Sequence, residues 1–144
     1  MEDCIFCKIV KGDIPSTKVY EDEYSAAFMD IMPAVKGHTL VIPKNHHETY
    51  LDIPYETLEN MAKTIKKVAF GVIKAMSATG YKIEIFNGES AGQAVKHAHF
   101  HIVPRYENDD LKYREDKNWW VPKKELYSEG EIEEIADSIR KNMA

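Results

Sequence analysis

Residues 97–103 read His97-Ala98-His99-Phe100-His101-Ile102-Val103, with an imidazole at every second position. A period of two is the period of a β-strand, so the three histidines share one face at successive spacings of about 6–7 Å. Ala98, Phe100 and Ile102 then point the other way, into apolar surroundings. Burying such a row without using it would require partners for both nitrogens of every ring, which protein cores normally avoid. The chain must therefore build a sheet that is covered on one face and opens a cleft over the histidines on the other.

The remaining sequence supplies that sheet. Strand character recurs at residues 17–21 and 25–31, joined by the polar turn Glu21-Asp22-Glu23, and again at residues 37–42 before Pro43. Residues 81–86 alternate well enough for a fourth strand, and residues 97–103 make the fifth. Between them, Leu58, Met61, Ala62, Ile65, Val68, Ala69, Val72, Ile73 and Met76 fall on a single helical stripe, which predicts a long helix over residues 55–77. Asp52 is its expected N-cap, Pro54 lies inside the first turn and Gly80 marks the stop. Ser128-x-x-Glu131 reads as a capping box opening a C-terminal helix with Ile132, Ile135, Ala136 and Ile139 on one face. Grouped strands with segregated helices make the fold α+β: an antiparallel five-stranded sheet, a long helix and a C-terminal helix. No internal repeat or linker divides residues 1–144, so the chain reads as a single domain. Residues 105–127, including Trp119 and Trp120, show no sustained period.

Charge narrows the partners. With 19 Lys+Arg against 24 Asp+Glu the net charge is −5, too acidic for a duplex nucleic acid partner but compatible with a local anion site. No apolar run approaches the ~18 residues of a membrane span and no secretory leader is visible, so a soluble, cytoplasmic protein is expected. The two cysteines are spaced Cys4-x-x-Cys7, which suits a redox pair, half of a zinc site or two incidental thiols. A redox pair normally precedes a helix within a βαβ unit, and the expected elements here contain none, which favours zinc.

Chemically, the imidazole row admits either a His₃ metal site or a nucleophile with proton-handling neighbours at a phosphoryl centre. The loop Asn87-Gly88-Glu89-Ser90-Ala91-Gly92-Gln93 precedes the row and offers N–H groups and amides that can cradle phosphate oxygens, which tips the choice toward phosphoryl chemistry. Asp30, between Met29 and Ile31 at a strand end, requires a hydrogen-bonding partner of its own.

Residues 97–103 match the histidine-triad (HIT) signature H-φ-H-φ-H-φ-φ, and Gly37-His38-Thr39-Leu40-Val41-Ile42-Pro43-Lys44 resembles the second motif of that family. The resemblance runs over a core of about residues 4–106, leaving 107–144 as a C-terminal extension similar to the tail of the bacterial and archaeal Hint-like branch. It implies a homodimer with a ten-stranded sheet that binds purine nucleotides and cleaves phosphoramidate, phosphoanhydride or related bonds at the α-phosphate. It makes His99 the nucleophile, with His101 contacting a phosphate oxygen or assisting the leaving group, and His97 and His38 fixing ring orientation and tautomer. Asp30 would accept hydrogen bonds from ribose hydroxyls, Phe6, Phe28 and Ile31 would wall the base, and Asn87, Gly92 and Gln93 would lie on the phosphate side. Ala94 stands where the family often has Ser or Thr.

For the cysteines the resemblance implies one structural zinc per chain held by Cys4, Cys7, His46 and His97, with His47 the competing ligand. Arg105 shares strand parity with the histidines and is expected as a solvated strand end or, less directly, a polyphosphate contact. Family members that bind nucleotide with little turnover keep a nucleotide-binding or scaffold role as the alternative to hydrolysis.

Overall fold

The structure is a computed structural model and describes residues 3–109 and 126–143. Its elements run α1 (Ile5–Lys11), β1 (Lys18–Glu21), β2 (Ser25–Met29), β3 (Thr39–Pro43), α2 (Tyr55–Met76), β4 (Gly80–Ile85), β5 (Phe100–Arg105) and α3 (Glu131–Asn142). The five strands form one antiparallel sheet in the order β1-β2-β3-β5-β4. This is the expected α+β architecture with its long helix and its C-terminal helix. No helix among the described residues is long and apolar enough to cross a membrane.

Register explains the division of labour between the two faces. Phe28 pairs with Leu40, and Leu40 with His101, so these three share a face. The adjacent row, Ala27, Val41 and Phe100, faces the other way. Met61, Ile65, Val68, Ala69 and Val72 of α2 pack on that second row, and Ala136 and Ile139 of α3 close the same core. Fully burying a Met or Val side chain stabilises by about 1.5–3 kcal/mol, so the α2 stripe dominates the attachment of the helix layer. On the site face, Phe6 and Ile9 of α1 pack against Ala26, Phe28, Leu40 and Ile42.

The sequence did not reveal α1. It has 7 residues, too few for a periodic pattern, and it is defined by its ends. The Cys4 sulfur accepts the Cys7 N–H at 3.4 Å, and Gly12 at φ 85° terminates the helix in the left-handed region.

Four boundaries differ from expectation. Asp52 does not cap α2: the residue before Pro54 is extended, which separates Asp52 from the helix, and its carboxylate instead accepts the Thr49 N–H at 2.9 Å in a short 3₁₀ turn. The helix stops at Ser77, left-handed at φ 50°, while Gly80 opens β4. At α3 only half of the capping box forms, the Glu131 carboxylate accepting the Ser128 N–H at 2.9 Å while Gly130 directly precedes the helix. The laddered part of the fifth strand begins at Phe100, so His97 and His99 lie on the segment leading into it. Trp119, Trp120 and most of residues 105–127 lie outside the described residues.

Candidate active site

The histidines are built into a set of defined tautomers. The Nδ1 of His99 lies 2.8 Å from the carbonyl oxygen of His97. A carbonyl only accepts, so Nδ1 carries the proton and the lone pair of neutral His99 sits on Nε2. Burial pushes the His99 pKa below its ordinary value, although the His97 carbonyl opposes the shift. His97 itself donates from Nε2 to the Pro43 carbonyl at 2.8 Å, leaving its Nδ1 lone pair toward the sulfurs of Cys4, at 3.3 Å, and Cys7, at 3.6 Å.

A second chain runs beneath. The backbone N–H of Ala34 donates to Nδ1 of His38 at 3.0 Å, so neutral His38 carries its proton on Nε2. That nitrogen lies 3.0 Å from Nδ1 of His101, to which it donates, and neutral His101 is thereby left with its proton on Nε2. Burial first, then the neighbouring imidazoles, lowers the pKa of His38 to about 3 and that of His101 to about 2, so both rings are neutral at physiological pH. Oδ2 of Asp30 lies 3.5 Å from Nε2 of His38, and burial raises the Asp30 carboxyl above the usual carboxylate range.

His99, His101 and Asp30 edge a cavity of about 330 Å³. Phe6, Phe28, Asp30, Ile31 and Ala94 line it together with His99 and His101. Phe6 meets the His99 ring edge-on, with centroids 5.1 Å apart, and meets Phe28 at 5.5 Å. Ile5, Ile9, Met32, Leu40 and Val95 add to the apolar wall and were not anticipated, Ile5 and Ile9 because the helix that brings them there was not. Phe86, whose ring centroid is 5.1 Å from that of His101, was also missed; its place at the end of the alternating run 81–86 was the available signal.

Two side chains of the loop before the histidines are engaged in hydrogen bonds that shape it. Asn87, Gly92 and Gln93 are not among the residues lining the cavity. The Asn87 carboxamide oxygen accepts the Tyr50 N–H at 2.8 Å. Gln93 accepts the Gly88 N–H at 2.7 Å and donates to the carbonyls of Glu48 and Val95 at 2.7 and 2.9 Å, so its amide fastens the loop from within. Arg105 is neither solvated nor aimed at the cavity. It is buried in a two-point ion pair with Asp109, with both contacts at 3.0 Å.

Beside the cavity, Cys4, Cys7, His46 and His97 place one donor atom each within 4.8 Å of one another. Cys7 Sγ is 3.5 Å from His46 Nδ1. For a tetrahedral ion with metal–sulfur bonds of about 2.3 Å and metal–nitrogen bonds of about 2.0–2.1 Å, sulfur–nitrogen edges come to about 3.5 Å, so the residues fit a closed Cys₂His₂ site. The Nε2 bond of His97 to the Pro43 carbonyl also fixes the tautomer that a ligand nitrogen requires. His46, not His47, joins the group; His47 uses its carbonyl to accept the Ala98 N–H at 2.7 Å. A His₃ site is a different matter. Among the described residues His97, His99 and His101 form no metal-holding group, because the His97 lone pair faces the sulfurs. Asp30, His38 and His101 do lie within that distance, His38 hydrogen-bonded to His101 and the Asp30 carboxylate 3.5 Å from His38.

Fold and site together define a small α+β protein with an imidazole row over an apolar cavity. The HIT domain family profile matches residues 11–108, and the chain belongs to that family. It is 51% identical over 117 residues to an uncharacterized HIT-like protein of Methanocaldococcus jannaschii, covering 80% of this chain and 90% of that one. An adenosine 5′-monophosphoramidase of Saccharomyces cerevisiae is 46% identical over 102 residues, 71% of this chain and 62% of the yeast protein. A zinc-bound histidine triad family protein from Mycobacterium smegmatis superposes with a TM-score of 0.79 at 37% identity, over 98% of this chain and 93% of that one.

Proposed function

We propose that the protein is a nucleotidyl hydrolase or transferase that acts at the α-phosphate of purine nucleotide conjugates through a covalent nucleotidyl-His99. The observation that carries this reading is the tautomer set. His99 holds its proton on Nδ1 against the His97 carbonyl and keeps Nε2 as a nucleophile, while His101 holds its proton on Nε2 as a donor. A protein that only bound nucleotide would not need complementary tautomers on adjacent rings.

In this reading the base lies between Phe6, Phe28 and Ile31, with Asp30 at the ribose and Asn87, Gly92, Gln93 and Ala94 shaping the phosphate side through the loop backbone. Nε2 of His99 forms a bond to the α-phosphorus and the bond to the leaving group breaks, its electron pair departing with that group. The Nε2–H of His101 hydrogen-bonds the developing charge. Water then resolves the phosphorus–nitrogen bond. Summed over both steps one water is consumed, its proton ending on the leaving group and its hydroxyl on phosphorus, and neutral His99 is regenerated. Between leaving groups, a phosphoramidate is favoured over a dinucleoside polyphosphate because Arg105 is held by Asp109, away from the cavity. The similarity to the yeast monophosphoramidase supports the same choice.

The metal in the Cys4, Cys7, His46 and His97 site is assigned as zinc with a structural role, supported by the donor set and by the zinc-bound mycobacterial relative. When bound, zinc supplies fixed coordination that ties α1 to the sheet. Thiols acting as ligands suit a reducing compartment, which supports a cytoplasmic location. A homodimer through β4 and the outer face of α2 is supported by the exposed Phe70, Tyr81 and Ile83 there, and by the position of β4 at the sheet edge. Pairing of two β4 strands would give the ten-stranded sheet.

The test is turnover of an adenosine 5′-phosphoramidate conjugate by wild type and His99→Ala, with and without a chelator. Activity that survives brief chelation and disappears in the variant supports covalent histidine chemistry. Immediate loss on chelation with the fold intact would overturn it in favour of metal catalysis. Nucleotide binding without turnover of any conjugate would favour the scaffold reading.

A further inference from the structure

The turn between β2 and β3, residues 30–38, carries the Ala34 N–H that sets the His38 tautomer. This turn is held from two sides. On one, Gly37 at φ 90° presses against the sheet and α2 so closely that a Cβ there would lie 2.7 Å from Met76 Cγ and 3.3 Å from Pro104 Cγ. On the other stands the C-terminal extension. The Tyr127 hydroxyl accepts the Gly37 N–H at 2.9 Å, its ring packs against the main core, and Glu131 pairs with Lys36 at 2.7 Å. These contacts fall on the two residues immediately before His38. Within the turn, His38 N–H donates to the Val35 carbonyl and the Asp30 N–H to the His38 carbonyl. A shift of the turn therefore moves Ala34 relative to the ring it fixes.

We propose that Tyr127, supported by the Lys36–Glu131 ion pair, is a positioning residue of the active site that holds the His38–His101 pair in the tautomer with both protons on Nε2. The reasoning turns on the two states open to the pair. With the Ala34 N–H in place, His38 Nδ1 must accept, Nε2 donates to His101, and His101 keeps its proton on Nε2. If Ala34 withdraws, His38 can hold its proton on Nδ1 and accept through Nε2 from the Nδ1–H of His101. That relay reverses both rings and leaves His101 with a lone pair where the reaction needs a donor. A hydrogen bond on a backbone N–H three residues from Ala34 can thus govern which nitrogen of His101 carries the proton. The consequence for turnover rests on the proposed nucleotidyl transfer at His99; the tautomer itself does not.

The experiment uses the full chain labelled with ¹⁵N, as wild type, Tyr127→Phe and Glu131→Gln. Long-range ¹H–¹⁵N spectra read the tautomers of His38 and His101 without substrate. Turnover is then compared for two adenosine 5′-phosphate derivatives, an alkylamine phosphoramidate that needs a donor at the leaving group and a p-nitrophenyl ester that does not. In wild type both rings should show Nε2–H. In Tyr127→Phe the Nδ1–H form should appear at both, kcat for the alkylamine conjugate should fall about tenfold with KM unchanged within about twofold, and the ester should be affected less than about twofold. Glu131→Gln should move the same readouts in the same direction by a smaller factor, since the ion pair is partly exposed. Unchanged tautomers in a folded Tyr127→Phe protein would overturn the proposal, as would equal slowing of both substrates. If Tyr127→Phe fails to fold, the Glu131→Gln tautomers decide. Wild type that turns over neither substrate but shows the tautomer shift in the variant would defeat the nucleotidyl-transfer reading and leave this positioning role standing.

Discussion

His97 serves two sites at once: its imidazole faces the sulfurs of Cys4 and Cys7, and its backbone carbonyl accepts the Nδ1–H of His99 at 2.8 Å. The residue that joins the metal-binding group therefore also sets the tautomer of the proposed nucleophile. Phe6, on the helix between the two cysteines, leans on both rings, with centroids 5.8 Å from His97 and 5.1 Å from His99.

Metal removal should accordingly weaken nucleotide binding as well as stability. Without the ion, α1 keeps the packing of Phe6 and Ile9 and the weak sulfur–imidazole contacts of Cys4 and Cys7 but loses the coordinate bonds, and Phe6 is a wall of the cavity. Prolonged chelation, or Cys7→Ser, should lower the melting temperature and raise the Kd for AMP about tenfold. Metal content by elemental analysis and AMP titration by calorimetry check this together. Full AMP affinity in metal-free protein would show that α1 holds its place unaided.

Substitution of His99 separates binding from chemistry. His99→Ala removes the nucleophile but leaves Phe28, Asp30 and Ile31, so AMP should still bind while turnover falls by about 10³-fold or more. Rapid quenching of wild type with an adenosine 5′-phosphoramidate should trap one adenylyl group per site, and mass spectrometry should locate it on the peptide containing His99. An adduct on the variant, or on another histidine of wild type, would reassign the nucleophile.

The sequence carried the fold wherever period and burial agree. The α2 stripe from Leu58 to Met76 and the alternating residues 97–103 place helix and sheet because each pattern satisfies only one backbone geometry. It was silent where short-range chemistry decides. Helix α1 is two turns held by Cys4 and Gly12, and Asp52 looked like a cap until Pro54 is seen to force the preceding residue out of helix. For the site, the imidazole row and Cys4-x-x-Cys7 were legible as residue types, whereas the tautomers depend on a backbone N–H at Ala34 and carbonyls at Pro43 and His97 that leave no trace in side-chain identity. Arg105 was misread because its partner, Asp109, lies beyond the strand whose parity was counted.

Acid should destabilise the protein from near neutrality downward. Burial holds His38 at about 3 and His101 at about 2, whereas an unfolded histidine titrates near 6.5. Below pH ~6.5 the unfolded chain binds protons that these buried rings do not, so stability present above that pH is lost as pH falls toward the native values. Each ring contributes a slope of about 1.4 kcal/mol per pH unit within the window. Urea unfolding of wild type and His38→Asn between pH 5.5 and 4 isolates one ring, because carboxylate titration is common to both proteins. The variant should show the shallower slope by about one proton; parallel slopes would mean that His38 is protonated in the native state.

Gly71→Ala distinguishes packing from helix propensity. In an exposed helix interior this change stabilises by about 0.8–1 kcal/mol, since glycine is the poorer helix former. Here Gly71 lies in α2 where α3 crosses it, and a Cβ would stand 2.7 Å from the Ile139 carbonyl oxygen and 2.8 Å from Met143 Cγ. Met143 can swing aside, but the carbonyl belongs to the backbone of α3 and Ile139 is fully buried, so the helix itself must shift. Overpacking of this kind costs about 1–3 kcal/mol, which outweighs the gain in propensity and makes the net effect destabilising. Urea unfolding of the variant should show a lower midpoint, and protection of α3 amides against hydrogen exchange should fall more than protection of the β-sheet. A raised midpoint would mean that α3 does not approach α2 as closely as the Ile139 contact requires.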